Sequence, residues 1–297
     1  IPYAHPLPGG MTRTLTRPRS VGSLHSALLV LAFCVLAGGI AADAEPARDS
    51  TTGVLVIAHG GSRRWNEAVR QLVRQADVGA PAEVTFGMLM RPHEAQALKH
   101  AAHRLQQRGA RRLLIVPLLI SSHSEVFRQL EYVLGLRPEA TWPEVGAPLA
   151  LDMPIVMGQA LDDHPAVAEV LLERAQALGD DPAGETVVLV GHGPVDDDDQ
   201  QRWLDVMERL GRSVKERGAF RDVVALTMRD DAPEAVRAQA IQVLRETVER
   251  ASRQGRVLVV PLLMAEGGVE DKIPGHLAGL FYVWSGQTLL PHPTMAT

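Results

Sequence analysis

Histidine both ligates borderline metals and exchanges a proton near neutral pH, and three histidines fall where such chemistry is well placed. His59 closes the run GVLVIAHGG (53–61), His192 closes VVLVGHGP (187–194), and His123 follows RRLLIVPLLISS (111–122). Each apolar run reads as a buried parallel strand. Each histidine therefore sits just past a strand's carboxyl end, the edge where open α/β sheets bind ligands. Gly60, Gly61 and Ser62 follow His59. Glycines there let the backbone turn sharply and approach a ligand, and the next helix offers free N–H groups to an anion such as a substrate carboxylate. Taken alone, His59 reads equally as a strand cap bonded to a nearby carbonyl. His123 adds a second imidazole on the same edge, and two converging imidazoles bind a divalent ion with positions left for water or substrate. Glu125 either orients His123, supplies a third ligand oxygen, or opens a helix whose dipole it stabilises.

The elements that carry these residues occur twice. Strand-His-Gly at 54–60 returns at 187–193, and RRLLIVPLLISSH (111–123) returns as GRVLVVPLLMAEGG (255–268). Periodicity gives strands at 54–58, 83–90 and 112–120, separated by helices at 65–76 and 92–108, with Gly109 as a helix stop. In the second half it gives strands at 186–190, 222–228 and 256–264, with helices at 199–217 and 233–254. A further strand is expected at 149–153 and a helix at 164–178. Strands alternating with helices of this length make parallel sheets through right-handed crossovers. The expected fold is α/β, two tandem lobes, each a parallel sheet flanked by helices. The lobes are expected at 45–145 and 146–297.

The chain has 297 residues, 30 basic and 35 acidic. Its first Met is Met11, and residues 1–10 read as a tag remnant or an over-long gene start. Arg13, Arg17 and Arg19, the apolar run 26–41, and Ala42-Asp43-Ala44 make the basic, apolar and small-x-small parts of a signal peptide. The apolar run is shorter than the ~20 residues a spanning helix needs. Export, to a periplasm, and cleavage after Ala44 are expected, with no stable membrane anchor afterwards. Losing three Arg and one Asp leaves 27 basic against 34 acidic residues, a net charge of −7. That balance and the 4% aromatic content argue against nucleic acid as a partner. The sole Cys, Cys34, lies in the apolar run, so a mature chain would ligate metal through His, Asp, Glu or Met.

The strand-His-Gly-Gly-Ser turn, the strand ending Val-Pro-Leu-Leu with a histidine a few residues on, and the internal repeat together resemble the sirohydrochlorin cobaltochelatase family (the CbiX/SirB type), relatives of the ferrochelatases. The resemblance covers roughly Gly53 to the C-terminus. It implies a bilobal chelatase fold and ATP-independent insertion of Co²⁺, Ni²⁺ or Fe²⁺ into a tetrapyrrole. It also implies that His59 and His123 are the paired histidines that bind the incoming ion and accept pyrrole protons, with Gly60, Gly61 and Ser62 lining the site. The chain departs from the family where a Glu often precedes the Pro that opens the next helix: FGMLMRP has Met88 near that place and ALTMRDD has Met228. Met cannot take a proton. The second half also lacks a His after Pro-Leu-Leu and has Glu266, Glu270 and Asp271 nearby, so His192 reads as structural. The acidic run 196–199 reads as a helix first turn, and His93, His100 and His103 as surface residues. The alternative from another class is a non-catalytic exported metal or tetrapyrrole binder.

Overall fold

A computed structural model describes residues 52–297; the expected signal peptide lies outside them. Two four-stranded, wholly parallel sheets result. The first contains β1 (Thr52–Ala58), β2 (Ala82–Phe86), β3 (Arg112–Leu118) and β4 (Ile155–Met157) in the order β2-β1-β3-β4. The second contains β5 (Glu185–Gly191), β6 (Asp222–Thr227), β7 (Arg256–Leu262) and β8 (Val283–Trp284) in the order β6-β5-β7-β8. The connecting helices are α1 (Arg63–Gln75), α2 (Pro92–Gln107), α3 (Glu125–Val133), α4 (Pro165–Gln176), α5 (Asp197–Gly218), α6 (Glu234–Ser252) and α7 (Lys272–His276).

The central strands form because their residues bury both faces. In β1, Leu55 and Ile57 join Leu98, Leu105, Leu113 and Ile115 on one face, while Val54 and Val56 pack with Trp65, Val69 and Leu72 on the other. In β5, Val187 and Leu189 face Trp203 and Met207, and Val188 and Val190 face Leu244 and Val248. Such two-sided burial selects the continuous Val/Ile/Leu runs seen in the sequence.

Both sheets hold the same register. Ile57 pairs with Pro117 and Ala58 with Leu118, just as Val190 pairs with Pro261 and Gly191 with Leu262. His59 and His192 therefore follow equivalent strand ends. In each sheet the chain steps outward to one side from the first strand, then crosses to the other, so the carboxyl edge between β1 and β3 is a topological switch point where crevices open.

The fourth strand is displaced from its expected place. Residues 149–153 form no strand. Leu149, Leu151 and Met153 pack irregularly against the first core, and the edge strand is Ile155–Met157, with Val156 62% exposed. The first sheet thus runs past the expected junction at 145/146, to Met157. The helix after it, α4, packs in the second core through Val167, Val170 and Leu171.

The lobes share one apolar seam, in which Met264, Ala265 and Leu290 pack with Trp65, Val69 and Leu118. Arg128 of α3 spans it: its Nη1 donates to Oδ1 of buried Asp199 in α5 at 2.7 Å, and its Nη2 forms an ion pair with Oδ2 at 2.7 Å. That hydrogen bond, with the attraction behind it, raises the Arg128 pKa against the cost of burial. Among the described residues no helix is long and apolar enough to cross a membrane.

Candidate functional site

His59 is exposed, one residue past β1. Its Nδ1 lies 2.7 Å from the Gly60 carbonyl oxygen. Since that oxygen only accepts, Nδ1 carries the proton and Nε2 keeps its lone pair for a ligand. The turn depends on its glycines. Gly60 has φ +84°, and a Cβ there would stand 3.2 Å from the Phe86 Cβ; the Gly61 amide donates to Asn66 Oδ1 at 2.9 Å. Ser62 Oγ accepts from the Trp65 amide at 3.2 Å and so caps α1. Beneath the turn, Trp65 meets Phe86 edge-on, centroids 6.4 Å apart.

His123 is half-buried, five residues past Leu118. Its amide donates to Ser121 Oγ at 3.0 Å. The neighbouring Ser122 is clamped by Asp162, which accepts from the Ser122 amide at 2.9 Å and from its hydroxyl at 2.7 Å. Asp162 is a positioning residue that sequence reasoning missed, since it lies 40 residues away beyond β4. Ala58 and Leu118 are paired, so His59 and His123 rise from the carboxyl ends of adjacent strands at the switch point. Glu125 is the acidic first-turn residue of α3, which Ser124 caps. This suits the helix-dipole reading of that residue.

In the second lobe, His192 repeats the His59 geometry: Nδ1 is 2.9 Å from the Gly193 carbonyl oxygen, and Gly193 has φ +81°. Its other nitrogen, however, has carboxylate company. Nε2 lies 3.4 Å from Asp231 Oδ2, and ligand atoms of His192, Asp230 and Asp231 all fall within 4.8 Å of one another. Sequence reasoning gave His192 no partner. The signal was present in ALTMRDD, but two Asp before a Pro look like an ordinary helix start. Asp230 is also held by Lys272 Nζ. Burial works against its charged form, yet the Lys272 hydrogen bond, with attraction from Lys272, His192 and Arg237, lowers its pKa overall.

The register also moves a comparison made from sequence. Gly87 donates to Ala58 O as Met228 donates to Gly191 O, so Met228 stands at Gly87's place and Arg229 at that of Met88. Leu89 and Met90 then correspond to Asp230 and Asp231. Gly267, five residues past Leu262, corresponds to His123. A Cβ on Gly267 would stand 3.1 Å from Trp65 Cδ1, so a side chain there would press on Trp65. The acids near it are engaged. Glu270 accepts from the amides of Gly267 and Gly268, and Glu266 pairs with Arg64.

The acidic run acts as expected of a helix start: Asp196 caps α5 by accepting from the Asp199 amide at 2.9 Å. His93, His100 and His103 are exposed on α2. His292 caps the closing turn and bonds Glu173 at 2.9 Å.

Comparison with known proteins bears on the lobe that carries His59 and His123. Residues 53–178 match the family model described as CbiX. That segment, less than half of the chain, is similar to the CbiX family. A sirohydrochlorin cobaltochelatase of Methanopyrus kandleri is 26% identical over 146 residues, covering 43% of this chain and 98% of the relative. The fold of both lobes is that of a solved structure, SirB from Bacillus subtilis with Fe³⁺, at TM-score 0.58 and 16% identity, over 83% of this chain and 91% of that one. The CbiX segment contains β1 to β4, and with them His59, His123 and Asp162.

Proposed function

We propose that the chain is an ATP-independent chelatase that inserts a divalent metal, cobalt foremost and nickel or iron as alternatives, into a sirohydrochlorin-type tetrapyrrole. The observation that carries this reading is the placement of His59 and His123 at adjacent strand ends of the CbiX segment. In this mechanism the ion is substrate. The free Nε2 of His59 and the His123 imidazole hold it at the mouth of the crevice, and Gly60, Gly61 and Ser62 border the macrocycle. As the ion enters the ring, two pyrrole N–H protons must leave, and neutral imidazoles are suitable acceptors. Export to a periplasm, read from the N-terminal segment, belongs to this proposal. A cleaved N-terminus at Glu45, found by mass spectrometry of the native protein, would support it, and a retained Met11 would overturn it.

A second reading, a metal or tetrapyrrole carrier without turnover, has two observations in its favour. Met88 stands where family members often carry a Glu, and among the described residues no third His, Cys, Asp or Glu joins His59 and His123 in a ligand cluster. Incubating the protein with excess sirohydrochlorin and Co²⁺ separates the two readings. Many equivalents of metallated product per chain establish the chelatase; product that stops at one equivalent establishes the carrier.

A further inference from the structure

We propose that the C-terminal lobe binds a divalent transition-metal cation of its own, at His192, Asp230 and Asp231. The tautomer is the first reason. With Nδ1–H committed to the Gly193 carbonyl at 2.9 Å, Nε2 presents its lone pair toward the two acids, the way metal-binding histidines are usually held. Spacing is the second. With metal–ligand bonds of about 2.0–2.2 Å, donors around one ion stand roughly 3–4.3 Å apart, and the three ligand atoms here already lie within 4.8 Å of one another. Charge is the third: two carboxylates balance a divalent ion, and one nitrogen with two oxygens suits Mn²⁺, Fe²⁺, Co²⁺ or Zn²⁺ rather than a soft monovalent ion.

The scaffold holds this arrangement in advance. Arg229, between the strand end and the acids, has φ +51° and donates its amide to His192 O at 2.7 Å. Its buried guanidinium donates to Pro194 O at 3.2 Å and Asp197 Oδ1 at 2.6 Å, and also bonds Val195 O. The loops after β5 and β6 are thus tied together, and their ligands cannot drift apart independently. The first lobe lacks this set, because Leu89 and Met90 occupy the places of the two acids.

One cation already sits on the cluster. Lys272 Nζ pairs with Asp230 Oδ2, and the Lys272 side chain is 48% exposed. It serves as a resident counter-ion that the metal displaces, its flexible stem swinging into water. The remaining neighbours are the charged Arg237, which donates to Asp230 O at 3.3 Å, and the titratable His276, whose enclosed Nε2 has no hydrogen-bond partner.

The test uses the full chain with His59→Ala and His123→Ala, titrated with Co²⁺ and followed by calorimetry and by visible absorption of the bound ion. One ion per chain is expected. Asp231→Asn, at a side chain 74% exposed and so without consequence for folding, should weaken it about tenfold or more, as should His192→Ala. Lys272→Gln should tighten it severalfold. An ordinary surface ion pair would not produce that gain. No bound ion in the double-alanine protein, isotherms unchanged by Asp231→Asn and His192→Ala, or weaker binding in Lys272→Gln would each overturn the proposal. Turnover is not read, so none of these outcomes bears on the chelatase reading.

Discussion

At the carboxyl edge of the first sheet two imidazoles rise from adjacent strands, with apolar residues after β2. At the same edge of the second sheet one imidazole remains, and the acids have moved to the loop after β6. Strand order, register and the His-Gly turn are shared. The differences lie in two loops: His123 against Gly267, and Leu89 and Met90 against Asp230 and Asp231. The frame fixes where a side chain emerges, whereas the loops choose the donor. Under the proposed readings, a pair of imidazoles suits transfer of an ion, and a nitrogen-plus-carboxylate set suits holding one.

The largest effect that would break this comparison is catalytic. His59→Ala or His123→Ala should each lower the rate of cobalt insertion by about a hundredfold or more, since general acid–base groups contribute roughly 10²–10⁴-fold and the ion also loses a ligand. His103→Ala, on the exposed face of α2, should leave the rate unchanged. A hundredfold loss in His103→Ala with none in His59→Ala would move the site off the switch point.

Next in size is the tie between lobes. Asp199→Asn leaves Arg128 facing a neutral amide across a largely buried seam, and breaking a buried pair costs about 3–5 kcal/mol. Arg128 keeps 26% side-chain exposure, which places the expected cost near the low end, about 3 kcal/mol. For a domain of this size that is a fall in Tm of roughly 6–12 °C by calorimetry. A shift under about 2 °C would show that the seam is held by its apolar contacts alone.

The paired turns give a smaller contrast that bears directly on their likeness. Gly60 and Gly193 have φ +84° and +81°, so alanine costs about 1–2 kcal/mol at either from backbone strain. The surroundings differ. A Cβ at 193 would lie 2.6 Å from Thr227 Cβ, against 3.2 Å from Phe86 Cβ at 60. Gly193→Ala should therefore destabilise by about 1 kcal/mol more than Gly60→Ala, measured by urea unfolding. The reverse order would mean that the two turns are packed differently from their shared hydrogen bond.

The first three strands of each sheet, the helices between them and the two His-Gly turns were legible because the central strands bury both faces and so spell unbroken β-branched runs. The place of His59 and His123 past adjacent strand ends was legible for the same reason. The edge strands β4 and β8 were not. Between 137 and 158 several short apolar runs compete, and Leu149, Leu151 and Met153 are apolar because they pack as irregular backbone on the core. Asp230 and Asp231 escaped notice because helix starts are commonly acidic, and only the fold shows that β6 lies beside β5 and turns them to His192. Asp162, which clamps the His123 loop, carries no local signature at all.

The smallest predicted effect separates charge from packing in the second lobe. His276 has a lowered pKa, chiefly through burial; Asp230 opposes that, and Lys272 and Arg237 add to it. The folded protein thus prefers the neutral ring, and as pH falls the unfolded chain takes up the proton first. The stability this contributes is fully present above the ordinary histidine value of 6.5 and is lost as pH drops from there toward the lowered folded value. His276→Leu removes both the titration and the enclosed, unpartnered Nε2. Measured with chelator present, to keep any ion off His192, the variant should match the parent within about 1–2 °C in Tm at pH 5 and show a shallower decline from pH 7.5 to 5. Parallel declines would mean that His276 titrates alike in both states and that acid sensitivity in this lobe arises elsewhere, with Asp230 and its Lys272 partner the next pair to vary.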